Sequence, residues 1–186
     1  MPEEAVILHG APTLAGIKTG NIFRCAYESE NEMRTSLRQW NRAFSEKGLR
    51  VIPLSFRGNK ALLYLYRPAR LLHDLDNEKA ADILKACGYC AKTPGQCLGC
   101  LVRRIQTETE FPHEIGLFLG YPAEDVQGFM EHQGSGCKCV GYWKVYGDVQ
   151  AAQKTFDKYR KCTDVYYRQW SQGKPIERLT VSRPNI

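Results

Sequence analysis

The sequence predicts an α+β fold, a small, mostly antiparallel sheet packed with several helices, in a single domain over residues 1–186. Three observations predict it. The length of 186 residues suits one domain with a sizeable core. The composition, 43% hydrophobic and 25% charged, is that of a globular chain and excludes disorder. Apolar residues recur at helical spacing in several stretches, while two short apolar runs flank a turn signal as a β-hairpin would.

The elements follow in chain order. His9–Lys18 is rich in small residues and turn formers, with Thr13 placed to cap a short helix. From Glu30 to Lys47, Met33, Leu37, Trp40 and Phe44 recur at helical spacing, and Gly48 supplies the stop. Arg50–Phe56 and Lys60–Tyr66 flank Arg57-Gly58-Asn59 and are predicted to pair as a hairpin. In its second strand Leu62, Tyr64 and Tyr66 share one face and Ala61, Leu63 and Leu65 the other, so both faces of the sheet should be covered. Pro68 ends that strand. Short helices are expected over Glu78–Cys87, Gln96–Thr107 and Glu114–Leu119.

Pro122 with Glu124 and Asp125 has the form of another helix's first turn, acids lying near the positive dipole end, and Val126, Phe129 and Met130 form its apolar face. Gly141–Tyr146 is predicted as a strand. Val149–Trp170 is predicted as a long helix. Val149, Ala152, Phe156, Tyr159, Thr163, Tyr166 and Trp170 share one face of it, and Lys154, Lys158, Lys161 and Arg168 the opposite one.

Several function classes are excluded or disfavoured. No apolar run approaches the ~20 residues that span a bilayer, so no membrane partner is expected. The start, Met1-Pro2-Glu3-Glu4, is acidic, unlike a secretory signal, and a cytoplasmic location is expected. Walker, GxGxxG, HExxH and GxSxG motifs are absent. The net charge of +6 is lopsided: residues 134–186 hold ten Lys/Arg and four Asp/Glu, while residues 1–133 hold sixteen of each. The basic face formed by Lys154, Lys158, Lys161 and Arg168 could receive an acidic partner. Nucleic acid is disfavoured, because the stripe is short, Asp157 and Asp164 flank it, and most aromatics lie opposite.

Eight cysteines carry the sharpest local signal. Cys87-x-x-Cys90 is followed by Cys97-x-x-Cys100, and two CxxC arms can converge on one tetrahedral metal. Thiolate softness favours zinc or an iron–sulfur cluster as cofactor. The connector, Ala91-Lys92-Thr93-Pro94-Gly95-Gln96, is shorter than in a zinc ribbon. Two other readings stand beside it: small buried hydrophobes, and a redox dithiol. Cys137-x-Cys139, Cys162 and Cys25 make a weaker set: a second ligand set, or, as the setting of Cys137 and Cys139 after Gly134-Ser135-Gly136 favours, a pair of exposed loop thiols without a metal. His113 and Glu114 set an imidazole beside a carboxylate at a predicted helix start, which suits acid–base work or a plain helix cap. Lys18, two residues past Gly16, could hold an anion.

His9–Lys18 (HGAPTLAGIK), Arg57–Pro68 (RGNKALLYLYRP), Phe111–Phe129 (FPHEIGLFLGYPAEDVQGF), Gly141–Asp148 (GYWKVYGD), Lys158–Cys162 (KYRKC) and Glu177–Val181 (ERLTV) together resemble the domain of unknown function 3793 family of anaerobic bacteria. The resemblance spans nearly the whole chain. It carries no established activity, and it implies iron-related or redox physiology. It also implies that the two CxxC pairs are an addition to the family pattern, which Cys137 and Cys162 fit better. On it, a shared site falls around His9, Lys18, His113, Glu114, Cys137 and Lys144, with His9, Lys18, His113 and Lys144 expected in one cleft.

Three functions are therefore carried forward. The first is a cytoplasmic metal-linked or redox-linked, iron-related binding protein using Cys87, Cys90, Cys97 and Cys100. The second is an enzyme acting on a small anionic ligand through His113 and Glu114 with Lys18 or Lys144. The third is an interaction module binding an acidic partner through the C-terminal helix.

Overall fold

A computed structural model describes residues 3–90 and 93–182. Among these, helices and two small antiparallel sheets make an α+β fold. By backbone contacts the chain clusters into two compact units, Met1–Arg70 with Lys161–Ile186, and Leu71–Arg160.

The first unit holds a three-stranded sheet. The predicted hairpin is present as β2 (Arg50–Arg57) and β3 (Lys60–Tyr66), paired from Arg50 opposite Tyr66 to Arg57 opposite Lys60. Gly58 turns it with a left-handed φ of 59°, a conformation that glycine adopts at least cost. β3 is central, because β1 (Gly20–Ala26), which the sequence reading did not assign, pairs along its other side. Pro53 fits the edge position of β2, where a missing N–H costs least, and a bulge at Leu54 buries that side chain.

Ala61, Leu63 and Leu65 point into the main core with Phe23, Val51 and the buried face of α2 (Glu30–Ser45), Met33, Leu37 and Phe44. On the opposite face Tyr64 is buried and stacks on half-buried Tyr66, ring centroids 4.7 Å apart.

The expected turn-rich His9–Lys18 segment is corrected. His9 to Leu14 is the second half of α1 (Glu3–Leu14), and Thr13 is not a cap: its hydroxyl donates to Asn21 Oδ1 at 2.9 Å. Small residues serve packing here, since a Cβ at Gly10 would lie 2.7 Å from Leu65 Cδ2. Pro12 removes one helix N–H bond just before α1 ends. Beyond it, buried Arg67 ties the helix end down: Nε donates to Thr13 O and Nη2 to Leu14 O, both at 2.7 Å.

The second unit contains most of α3 (Pro68–Leu75), then α4 (Glu78–Ala86), α5 (Pro94–Thr107), α6 (Ile115–Phe118) and α7 (Ala123–Glu131). Asn77 and Thr93 cap α4 and α5 through their side-chain oxygens. The strand expected over Gly141–Tyr146 is shorter than predicted. β4 (Cys139–Val140) and β5 (Lys144–Val145) form a two-residue ladder around a tight turn at Gly141–Trp143.

α8 (Val149–Ser171) begins in the second unit and ends in the first. Its phase is as predicted: Ala152, Phe156 and Tyr159 are buried, Val149, Thr163, Tyr166 and Trp170 half-buried, and Lys154, Lys158, Lys161 and Arg168 exposed. A short α9 (Ile176–Leu179) closes on α1 in the first unit. No helix among the described residues is long and apolar enough to cross a membrane.

Candidate functional site

In the second unit a cavity of about 340 Å³ opens between α6, α7 and the β4–β5 turn. A volume of this order suits a small molecule. Tyr121 and Trp143 stack in its wall with centroids 4.9 Å apart, and Phe129 meets exposed His113 edge-on at 5.0 Å. Glycine at 116 keeps α6 against α7, because a Cβ there would lie 2.7 Å from Val126 Cγ2.

Asp125 holds this wall in place. It is 3% exposed, and its carboxylate accepts from Trp143 Nε1 at 2.6 Å, Tyr146 N at 2.7 Å and Gly147 N at 2.8 Å. A side chain read from sequence as a dipole partner is thus the anchor of the β5–α8 connection. The donors lie 18 to 22 positions away, so no local pattern reveals them.

Lys144 supplies the cavity's cation. Its ammonium donates to Gly134 O at 2.7 Å and sits 5.7 Å from the Phe129 ring centroid. An ammonium has three donors, so this carbonyl engages one of them.

Burial pushes the Tyr121 phenol up to about 12 from its ordinary value of 10.0. The protonated form is therefore favoured by folding. Its stabilising contribution is complete below the unfolded value and lost as pH rises through the folded one. An alkaline titration is expected to show Tyr121 ionising near 12, with stability declining from about pH 10 upward. Tyr121 ionising at 10 in the folded chain would contradict its burial.

Glu114 turns away from the cavity. It accepts from Tyr89 Oη at 2.9 Å, and its Oε1 lies 3.0 Å from Arg104 Nε, an ion pair without hydrogen-bond alignment. Burial, then Glu114, pushes the Tyr89 phenol far up. Arg104 also donates to Cys87 O at 2.6 Å. Glu114 is thus the counter-ion of a structural network, and His113 and Glu114 do not face one cavity.

His9 and Lys18 belong to the first unit, His113 and Lys144 to the second. His9 is exposed and stacks on Phe23 at 5.8 Å, whereas Lys18 is 2% exposed and donates to Gly20 O. Of the four residues expected in one cleft, His113 and Lys144 line the same cavity.

Residues 6–180 match the family described as Protein of unknown function (DUF3793). The chain belongs to this family. No curated protein and no solved structure matches it. The two stretches that carry the DUF3793 resemblance most distinctively, FPHEIGLFLGYP and GYWKVYGD, also build most of the cavity: His113, Gly116 and Tyr121 come from one, Trp143 and Lys144 from the other.

In this DUF3793 chain all eight cysteines are thiols. Cys87 caps the end of α4 half-buried, Cys90 is exposed, and Cys97 and Cys100 lie one turn apart on α5, buried and half-buried. Burial pushes the Cys87 and Cys97 thiols up. Among the described residues no three His, Cys, Asp or Glu side chains group as metal ligands. Ala91 and Lys92, in the connector between the two pairs, lie outside the described residues. Cys137 and Cys139 are half-buried, not exposed as their glycine-rich setting suggested, because Lys138 N–H bonds Val145 O and ties the segment to β5.

Proposed function

We propose that this chain binds a small molecule with a flat apolar body and one anionic group in the cavity of its second unit. The observation that carries this reading is the lining: stacked Trp143 and Tyr121 with Phe129 provide aromatic faces, and Lys144 provides one cation held at their edge. Aromatic faces exclude water from a flat ligand, and a cation in such a setting attracts an anion more strongly than it would in bulk water. His113 stands at the same rim as a second polar contact. The cytoplasm is the compartment we assign, because a reducing compartment keeps a chain with eight cysteines in the thiol form.

The test is a fluorescence titration with 8-anilinonaphthalene-1-sulfonate, followed by calorimetry with aromatic carboxylates. Lys144→Met is expected to weaken binding by about tenfold or more, the loss of one charge-assisted hydrogen bond, and Lys144→Arg to retain most of it. Equal affinity of the wild-type and Lys144→Met chains, with folding intact, would overturn the assignment.

A further inference from the structure

Between the loop that holds Lys144 and the strand that walls the cavity lie two thiols separated by one residue. The loop leaves α7 through left-handed backbone at Gln133, Gly134 and Gly136. Two of its carbonyls are engaged by side chains of β5 and the residue after it: Gly134 O accepts from Lys144 Nζ, which lines the cavity, and Ser135 O from Tyr146 Oη at 3.0 Å. The chain then bends at Lys138, whose N–H donates to Val145 O at 2.8 Å and whose ammonium donates to Gly147 O at 2.9 Å. Cys137 and Cys139 flank that residue, both half-buried. Val140 and Gly141, which follow, line the cavity.

Residues two apart span about 6.6–7.2 Å when fully extended, and the bend at Lys138 draws its two neighbours inward, toward the about 4.4–6.8 Å that a disulfide spans between Cα atoms. The rival pair, Cys97 and Cys100, is worse placed to react. Cys97 is buried, and burial with the neighbouring Cys100 holds it in the unreactive thiol form.

We propose that Cys137 and Cys139 are a reversible dithiol–disulfide pair, oxidised by a small disulfide such as oxidised glutathione, and that closing it loosens the adjoining cavity wall. The thiolate of one cysteine attacks the glutathione disulfide and releases one glutathione thiolate. The second cysteine, losing its proton, displaces the other. Two protein thiols become one disulfide, and one oxidised glutathione becomes two reduced ones. Closing the ring puckers Lys138 and withdraws its N–H from Val145 O. That N–H bond is continuous with the β4–β5 ladder, which carries Val140 on one side and Lys144 on the other. The effect on ligand binding rests on the cavity reading above; the chemistry of the pair does not.

The experiment equilibrates the full chain with defined ratios of reduced and oxidised glutathione, alkylates the remaining thiols after denaturation, and maps them by peptide mass. Amide hydrogen exchange and 8-anilinonaphthalene-1-sulfonate affinity are read on the same samples. Oxidation is expected to remove both alkylations from the peptide holding Cys137 and Cys139. It should speed exchange at Lys138 by about tenfold or more and weaken dye binding, all reversed by dithiothreitol. Cys137→Ser and Cys139→Ser chains should show neither response. Retained alkylation at both positions, or earlier closure of Cys97 with Cys100, overturns the proposal. So does a closed pair that leaves Lys138 exchange unchanged. If the pair closes and exchange rises while the reduced chain binds no dye, the thiol pair stands and the cavity reading falls.

Discussion

Asp125→Ala is expected to destabilise the chain by about 3–5 kcal/mol, as removal of a buried charged partner does. One carboxylate satisfies an indole N–H and two backbone N–H groups, so its loss strands three donors in the wall of the second unit. The indole donor belongs to Trp143, only 9% exposed, where water cannot easily replace the carboxylate. Asp125→Asn should fall between the two. Its amide oxygen can still serve the backbone pair that bonds Oδ1, but its amide nitrogen would face the Trp143 N–H. Urea unfolding followed by circular dichroism measures the loss, and Trp143→Phe in the Asp125→Ala background should recover part of it, because one stranded donor is removed. An Asp125→Ala chain within about 0.5 kcal/mol of wild type would show that the carboxylate is not the anchor described.

Phe156→Ala is expected to cost about 3–5 kcal/mol through lost burial and the cavity left behind. Phe156 is 6% exposed, meets Trp143 edge-on at 4.6 Å between centroids, and lies under Gly141, where a Cβ would come within 2.2 Å of its ring. On the opposite face of the helix, exposed Lys158 has no such role, and Lys158→Glu should change stability by less than about 0.5 kcal/mol. The comparison is read from the midpoints of two denaturation curves. A larger effect at Lys158 than at Phe156 would mean that the face assigned to α8 is wrong. Because Phe156 supports Trp143, the alanine variant should also weaken dye binding in the cavity.

The sequence by itself determined those elements whose signal is local and periodic. α2 and α8 repeat apolar residues along one face over several turns, so their buried sides were legible at single-residue resolution. The β2–β3 hairpin was legible because its turn and both strands are adjacent in the chain. Family membership was legible from long, distinctive segments distributed along residues 6–180.

What only the tertiary structure decided depends on distant partners. β1 is a strand because β3, some forty residues later, offers it an edge; on its own, Phe23 and Cys25 are its only core-facing residues. The small residues of α1 look like turn formers until Leu65 is brought against Gly10. Glu114 looks like a partner for His113 until Tyr89 and Arg104 claim it. Asp125 looks like a helix-dipole acid until Trp143, Tyr146 and Gly147 converge on it. The physical reason is common to all four. Periodicity reports which face of an element is apolar, whereas a polar side chain's role is set by the donors and charges that folding places within hydrogen-bond reach, and these need not be near it in sequence.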